Sequence, residues 1–329
     1  MLTRIKIKSL FNVYDYDIDL TNNDQSTVKF ITAPNGFGKT TILDFINAAM
    51  HQSYGKMFLI PFQQFELFYD EAGSDILYNY TVTREEQKSE AKDTDVVQTL
   101  SKTLNIKLQR ISGTEEKLIE QFSIKQTPDG AISTEGNTDN TQMFFVSRTC
   151  FYLTDKRTLM QKKDDIRVED ETLVMEDLSI IPYPKELKDI LNSPEKSKKY
   201  EPRIQLFHEI INRCEFANKQ LEIDKRFGFR FVSDDELHTI LALDQLSSGE
   251  KQIIIQVYEL LFRAQSGTLV LIDEPELSLH MMWQMNYLKN LSQIAQLRGF
   301  QCIVATHSPQ IFNSLWSKSV DLFTISNQK

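Results

Sequence analysis

A short loop near the N-terminus has the composition of a phosphate-binding site. Residues 33–41 read Ala-Pro-Asn-Gly-Phe-Gly-Lys-Thr-Thr, although only 11 of the 329 residues are glycine. Glycines allow backbone N–H groups to turn inward around phosphate oxygens. Lys39 can then reach the β- and γ-phosphates of a nucleotide, and the Thr40 hydroxyl can hold Mg²⁺. The first position is alanine where the general pattern has glycine, but the two glycines nearest the lysine are present.

Two adjacent carboxylates follow the most apolar run of the chain. Residues 269–272 read Leu-Val-Leu-Ile and are followed by Asp273 and Glu274. Because ligands bind at the carboxyl edge of open α/β sheets, this pattern indicates a buried strand with acid groups at that edge. Asp273 would hold Mg²⁺ through water, and Glu274 would orient or deprotonate an attacking water. The alternative is a strand that ends in a solvated acidic turn. This alternative is less favoured because the same chain contains a phosphate-binding loop.

A third cluster, residues 246–252, reads Leu-Ser-Ser-Gly-Glu-Lys-Gln. Ser-Ser-Gly at a helix start supplies a hydroxyl, free backbone N–H groups and the positive end of the helix dipole, which together make an anion site. A plain helix cap is the alternative that these residues leave open.

A histidine closes another short apolar run. Residues 303–306 read Ile-Val-Ala-Thr and precede His307. A histidine at a strand end is more often structural. On a strand adjacent to the one that carries Asp273, it would sense the γ-phosphate.

Regular elements must position these groups. A strand over 28–32 ends before the phosphate loop, and apolar residues at helical spacing predict a helix over 41–50 after it. The same spacing predicts a helix over 252–263 behind the Ser-Ser-Gly cluster.

The middle of the chain is more polar. Short alternating runs within 84–141, such as 106–111, predict hairpins with a tip at Pro128-Asp129-Gly130. Residues 184–203 predict solvated helix and turn.

Composition limits the class of protein. The chain is 41% hydrophobic and 25% charged, and its net charge of −9 disfavours nucleic-acid binding by bulk charge. Three widely spaced cysteines predict a reducing compartment. No signal peptide is read at the N-terminus, and no apolar run approaches the length of a membrane helix. We therefore expect a cytoplasmic protein with no membrane partner.

The four clusters, in this order, resemble the ATP-binding cassette superfamily, in the branch of SMC, RecF-like and overcoming-lysogenization ATPases. Residues 33–41 match the Walker A motif, 246–252 the signature motif, 269–274 the Walker B motif, and 305–307 the switch histidine. The run Glu-Pro-Glu-Leu-Ser-Leu-His at 274–280 is similar to that of overcoming-lysogenization and Septu-type bacterial defence ATPases.

The resemblance implies that two copies sandwich two ATP molecules with Mg²⁺, each ATP touching the phosphate loop of one copy and the signature of the other. Hydrolysis loosens the sandwich, so nucleotide state becomes a conformational switch. The implied Mg²⁺-contacting glutamine is Gln64 in preference to Gln63 or Gln142. His280 stands where many cassettes have an aspartate. The implied site residues are catalytic Lys39, Glu274 and His307; nucleotide-binding Asn35, Gly36, Phe37, Gly38, Lys39, Thr40, Thr41, Ser247, Ser248, Gly249 and Glu250; and metal-binding Thr40, Gln64 and Asp273.

The expected fold is a single bilobed α/β ABC ATPase head with a mixed sheet. Residues 1–60 and 225–329 would build the nucleotide core, 62–145 an antiparallel β-rich part, and 180–263 a helical lobe with the signature. Roughly 200 residues separate Lys39 from the signature without a heptad run, so no long coiled coil is expected.

The resemblance favours an ATPase switch of a bacterial anti-phage defence system. We expect a homodimer, or a higher oligomer of dimers, that acts with a separately encoded effector such as a nuclease, because little sequence follows His307. Two alternatives stay open: a RecF-like DNA repair or replication ATPase, and an ATP-binding scaffold with little turnover.

Nucleic acid stays an open partner because basic residues cluster locally. One set is Arg4, Lys6 and Lys8 on the first strand, and the other is Lys156, Arg157, Lys162 and Lys163. An exposed strand edge explains the set on the first strand equally well.

Overall fold

The computed structural model describes residues 1–21, 27–71, 74–88, 100–146, 148–153, 182–277, 279–312 and 319–328. Its strands are β1 (Leu2–Leu10), β2 (Tyr14–Asp19), β3 (Val28–Thr32), β4 (Gln64–Asp70), β5 (Ile76–Lys88), β6 (Leu100–Ser112), β7 (Glu115–Gln126), β8 (Ile132–Glu135), β9 (Cys150–Leu153), β10 (Lys219–Asp224), β11 (Gly228–Ser233), β12 (Ile240–Leu241), β13 (Leu269–Asp273), β14 (Gln301–Thr306), β15 (Ser319–Asp321) and β16 (Asn327–Gln328). Its helices are α1 (Lys39–His51), α2 (Gly55–Leu59), α3 (Asp139–Val146), α4 (Pro182–Asn192), α5 (Pro194–Arg213), α6 (Ser248–Tyr258), α7 (Met281–Arg298) and α8 (Leu322–Ile325).

The chain divides into two compact units. Unit 1 comprises Met1–Cys150, Ile303–His307 and Leu315–Lys329, and unit 2 comprises Phe151–Cys302 and Ser308–Ser314.

Unit 1 contains an antiparallel sheet in the order β16-β2-β1-β4-β5-β6-β7-β8. A second group of strands in this unit runs β15-β3-β14, and β15 and β3 are parallel. Unit 1 thus contains both antiparallel and parallel strand pairs, together with helices. This mixed α/β arrangement is the one expected for an ABC ATPase head.

Alternating side chains give the antiparallel sheet its buried face. On β6, Leu104, Ile106 and Leu108 are buried, whereas Asn105 and Lys107 between them are not. The alternation read from 106–111 is therefore confirmed as a strand with one core face. The hairpin tip at Pro128-Asp129-Gly130 is also confirmed, because Thr127 N–H donates to Ala131 O at 2.9 Å across that turn.

Helix α1 packs on this sheet through aromatic side chains. The ring of Phe45 lies 5.5 Å from that of Phe65 on β4 and 4.9 Å from that of Phe62, both in edge-to-face geometry. Helix α1 begins directly after the phosphate loop, so this packing fixes the direction in which the loop opens.

Two basic side chains of the sheet satisfy the carboxyl end of α2. Arg84 on β5 donates to Ile60 O at 2.5 Å and to Phe58 O at 3.3 Å, and Lys102 on β6 donates to Phe58 O at 2.8 Å. Cations are favourable at a helix carboxyl end, so these contacts hold α2 against the long β5–β6 hairpin.

Unit 2 contains α4–α7, a three-stranded sheet in the order β10-β11-β12, and the neighbouring strands β13 and β9. Its core includes an aromatic cluster at α6. The ring of Tyr258 stacks on Tyr183 at 4.4 Å and meets Phe207 of α5 edge-on at 5.8 Å.

The signature helix starts earlier than the expected helix over 252–263, and its last turn is wider than an α-helical turn. It begins at Ser248, because Ser247 caps it, and it continues from Glu259 to Arg263 as a π-helix. The wider turn is shown by the hydrogen bond from Ala264 N–H to Glu259 O at 2.9 Å, which spans five residues. Side-chain bonds hold Glu259 in this buried turn, from Tyr183 Oη at 2.8 Å and Arg263 Nη1 at 2.8 Å.

The longest described helix, α5, has 20 residues, so the described part of the chain contains no long coiled-coil arm. None of the helices in the described ranges is both long enough and apolar enough to span a membrane. The three cysteines are unpaired.

A close backbone contact in unit 2 gives a stability prediction. Gly228 has φ +82°, and a Cβ there would overlap the Pro184 carbonyl and lie 3.0 Å from Lys188 N. We expect Gly228→Ala to lower the thermal midpoint by at least about 4 °C more than Gly267→Ala, because α4 must move. Gly267 is the matched control, with φ +79° but open space around its Cβ position. Equal midpoints in a thermal melt would show that α4 shifts at no cost.

Candidate functional site

The phosphate loop joins β3 to α1 within unit 1. Strand β3 ends at Thr32 and α1 begins at Lys39, and the intervening Gly36 and Gly38 have φ of +89° and +85°. Left-handed backbone of this kind favours glycine, and it turns successive N–H groups toward one side of the loop. The strand, loop and helix predicted from the sequence are confirmed.

Gly38 is required for space as well as for conformation. A Cβ at this position would lie 2.8 Å from Leu10 Cδ2 and 3.1 Å from Phe11 Cε2. The end of β1 and the turn after it therefore pack closely against the start of α1.

The alanine at the first loop position is compatible with this geometry. Ala33 is buried and does not have a positive φ. A glycine is therefore not needed there for backbone reasons.

Lys39 is held inside its own loop. Its side chain is buried, and Nζ donates to Ala33 O at 2.9 Å and to Pro34 O at 3.4 Å. These weak backbone acceptors leave the ammonium able to exchange them for phosphate oxygens, which are stronger partners.

Aromatic residues support the tip of the loop. Phe37 contacts Tyr14 with ring centroids 5.2 Å apart and Phe323 at 5.6 Å, and Tyr16 donates to Phe37 O at 2.8 Å. Burial raises the pKa of Tyr16, so its phenol keeps the proton that this bond uses. Residues 14–16 thus support the loop by packing.

The two adjacent carboxylates lie at the end of β13 in unit 2. All of β13 is buried, Asp273 included, whereas Glu274 is half-buried. Glu274 has φ +43°, a left-handed conformation that costs a non-glycine residue roughly 1–3 kcal/mol. Backbone strain of this kind persists only where the surrounding structure stabilises it, and it clusters at functional sites.

The start of α6 is a complete capping box. Ser247 Oγ accepts from Glu250 N–H at 3.3 Å, and Glu250 Oε2 accepts from Ser247 N–H at 2.8 Å. Ser247 and Ser248 are exposed, whereas Gly249 and Glu250 are buried. The plain cap and the anion site are therefore compatible, since capping leaves the Ser247 proton free to donate outward.

Glu250 also makes an ion pair that the sequence did not indicate. Lys219 Nζ, at the start of β10, lies 2.8 Å from Glu250 Oε1. Burial raises the pKa of Glu250, but hydrogen bonds from Lys219 and Ser247 lower it by more, so the carboxylate is ionised. The two residues are 31 positions apart, and no local pattern connects them.

The remaining candidates have distinct places. His307 is exposed and follows β14 in unit 1. Gln64 begins β4, opposite Lys8 of β1 and Thr83 of β5. Gln142 bonds to Thr138 Oγ1 at 3.0 Å within the first turn of α3.

His280 caps α7, because its Nδ1 accepts from Met282 N–H at 3.4 Å. An aspartate could make the same cap.

The basic residues of β1 lie among acidic neighbours. Arg4 is paired with Asp17 through two bonds of 2.5 and 2.6 Å, and Lys6 stands between Asp17 of β2 and Glu66 of β4 in register. These carboxylates cancel most of the positive charge of this strand. Lys156, Arg157, Lys162 and Lys163 lie outside the described residues.

In total, unit 1 carries the phosphate loop, Gln64 and His307, and unit 2 carries the signature residues, Asp273 and Glu274. In the described ranges, no group of three or more His, Cys, Asp or Glu side chains could hold a metal by itself. Mg²⁺ is usually bound through one or two protein oxygen ligands together with substrate phosphates, so a nucleotide-dependent site needs no such cluster.

Comparison with known proteins identifies one family and one relative. The family described as "AAA domain, putative AbiEii toxin, Type IV TA system" matches residues 34–313. The "Retron Ec83 probable ATPase" of Escherichia coli is 34% identical over 97 residues, which are 26% of this chain and 18% of that protein. The chain thus matches less than a fifth of this relative's length.

Solved structures are similar at low identity. The "SMC head domain from Thermotoga maritima" is 14% identical, with 100% of this chain and 98% of that chain covered and a TM-score of 0.42. The "SmcHead bound to the C-winged helix domain of ScpA" is 12% identical, with 94% and 90% covered and a TM-score of 0.46. At these sequence identities and TM-scores, the similarity carries no information about activity.

The phosphate loop gives a binding prediction. Lys39→Met should weaken ATP binding about 10- to 100-fold, because it removes a charge-assisted bond to phosphate. Titration with a fluorescent ATP analogue measures the effect. Lys107→Met is the matched control, since Lys107 is an exposed lysine of β6 in the same unit. Equal affinities of the Lys39 variant and the wild type would show that Lys39 does not bind phosphate.

Proposed function

We propose a function from one premise: the chain belongs to the family "AAA domain, putative AbiEii toxin, Type IV TA system". It is a P-loop ATPase of the AAA/ABC type, related to ATPases of retron and toxin–antitoxin systems. The finer proposal is Mg²⁺-dependent ATP hydrolysis that switches the state of a partner protein.

The phosphate loop carries this proposal. Two left-handed glycines, a buried lysine that donates to the backbone carbonyls of Ala33 and Pro34, and a helix that starts at that lysine form a cradle for phosphate oxygens. Residues 35–41 would bind the phosphates through backbone N–H groups and the Lys39 ammonium.

Hydrolysis would use the acidic pair at the end of β13. Glu274 would accept a proton from the attacking water, and its strained backbone favours a fixed direction for that carboxylate. His307 would contact the γ-phosphate. Thr40, Asp273 and Gln64 are the proposed Mg²⁺ ligands, and the ion, when bound, would neutralise charge on the phosphates.

The signature residues would act on a second copy. At the start of α6, Ser247 and Ser248 are exposed, whereas Gly249 and Glu250 are buried. We assign these four residues to the ATP held by a partner copy in a nucleotide-dependent homodimer. This arrangement rests on the resemblance to ATP-binding cassettes.

The biological proposal is a cytoplasmic switch in anti-phage defence, of the Septu-like kind, with a separately encoded effector such as a nuclease. Similarity to a family described as a putative AbiEii toxin and to a probable retron ATPase supports a defence context. Charge cancellation around Arg4 and Lys6 argues against that surface as a DNA footprint.

Replacement of the proposed base tests hydrolysis directly. Glu274→Gln should lower kcat by about 10²- to 10⁴-fold while ATP still binds, because it removes proton transfer but retains the phosphate loop. Phosphate release and mass in solution, with and without ATP and Mg²⁺, measure turnover and dimerisation. The variant should accumulate an ATP-bound dimer.

Glu236→Gln is the matched control, because Glu236 is an exposed carboxylate of unit 2. Absence of turnover in the wild type, with ATP bound, would favour the scaffold over the ATPase. ATP-dependent binding of duplex DNA whose affinity falls steeply with salt would favour the RecF-like alternative.

A further inference from the structure

The proposed signature site contains a buried negative charge where an anion is expected to bind. Glu250 lies in the first turn of α6, is 4% exposed, and is ionised. A carboxylate there completes the cap. Its negative charge also offsets the positive end of the helix dipole and repels a phosphate that approaches the helix start. At a partly buried site the repulsion between this carboxylate and an incoming phosphate is strong unless a counter-charge offsets it.

Lys219 supplies that counter-charge from another element. Its Nζ is 2.8 Å from Glu250 Oε1, and its side chain is 22% exposed. Glu250 thus uses one oxygen for the Ser247 backbone N–H and the other for the Lys219 ammonium. The motif as read from residues 246–252 alone would be incomplete without this lysine.

The fold holds Lys219 in a fixed position. It begins β10, paired with Ser233 of β11, and its N–H donates to Phe216 O at 2.7 Å. The preceding Asn218 has φ +54° and accepts from Asp234 N–H at 2.8 Å. The aromatic stack of Phe216 on Phe231, with centroids 5.8 Å apart, anchors this turn.

The nearby Lys251 does not replace it. Its Nζ donates to Asp244 O at 3.1 Å, a backbone acceptor on the exposed side of the loop. Within the described ranges, Lys219 is the cation that an ion pair joins to Glu250.

We propose that Lys219 is a positioning residue of the signature motif. It neutralises Glu250 and locks the capping box, so that the Ser247 hydroxyl and the start of α6 can receive the γ-phosphate of an ATP held by a second copy. The inference rests on the proposed function and adds a residue to it.

A charge-rescue series tests this role. The variants are Lys219→Met, Lys219→Arg, Lys219→Met with Glu250→Gln, and Lys225→Met as the control. Lys225 is an exposed lysine on the turn of the same hairpin. The measurements are ATP-dependent self-association, KM and kcat, binding of a fluorescent ATP analogue, and thermal midpoint.

Lys219→Met should weaken ATP-dependent self-association about tenfold or more, because it leaves a buried charge unpaired beside the phosphate. Analogue binding to the phosphate loop of the isolated monomer should stay unchanged. Lys219→Arg should retain association. The double variant should associate more tightly than Lys219→Met alone, because a neutral glutamine needs no counter-charge and can still accept from Ser247 N–H.

Several outcomes would overturn the inference. Normal association of Lys219→Met would show that the pair is incidental. A double variant that melts like the wild type but does not recover association would show that Lys219 acts by itself. Loss of both analogue binding and association in Lys219→Met would show that the lysine stabilises the fold rather than positioning the signature motif. A wild-type protein that neither hydrolyses ATP nor associates with it would instead overturn the proposed function, and the inference with it.

Discussion

The contact between Gly38 and the end of β1 is the constraint on which unit 1 depends. Leu10 and Phe11 leave no room for a side chain at the start of α1, so the first strand, the phosphate loop and the helix are fixed against one another. Packing of Phe45 on Phe65 then holds α1 to the antiparallel sheet. A phosphate cradle made of backbone N–H groups works only if it is rigid before the ligand arrives, and these contacts supply that rigidity.

Helix α6 shows a second constraint, because it has a compensated carboxylate at each end. Glu250 at the start is held by Lys219 and Ser247. Glu259, where the π-helix begins, is held by Tyr183 and Arg263, and its pKa is raised because burial outweighs those bonds. Buried charges of this kind add little to stability but penalise alternative packings. The signature helix is therefore specified by charge pairing as well as by its apolar face.

The antiparallel sheet joins a core face to a charged outer face. Its inner residues pack against α1 and α3, and Glu120 of β7 accepts from the Asn140 and Thr141 N–H groups that begin α3. On the outer side, acidic β2 residues lie beside the basic residues of β1. A strand that looks basic when it is read alone is therefore close to neutral in the sheet.

The sequence by itself determined the local parts: the phosphate loop between β3 and α1, the acidic end of β13, the capped start of α6 and the hairpin turn at Gly130. These follow from glycine placement, short-range capping and apolar spacing, which act within a few residues. Tertiary structure alone decided the Lys219–Glu250 pair, the π-helix at Glu259 and the pairing of Arg4 with Asp17. These depend on groups distant along the chain or on neighbouring strands, where burial sets the cost of an unpaired charge and no local pattern records the partner.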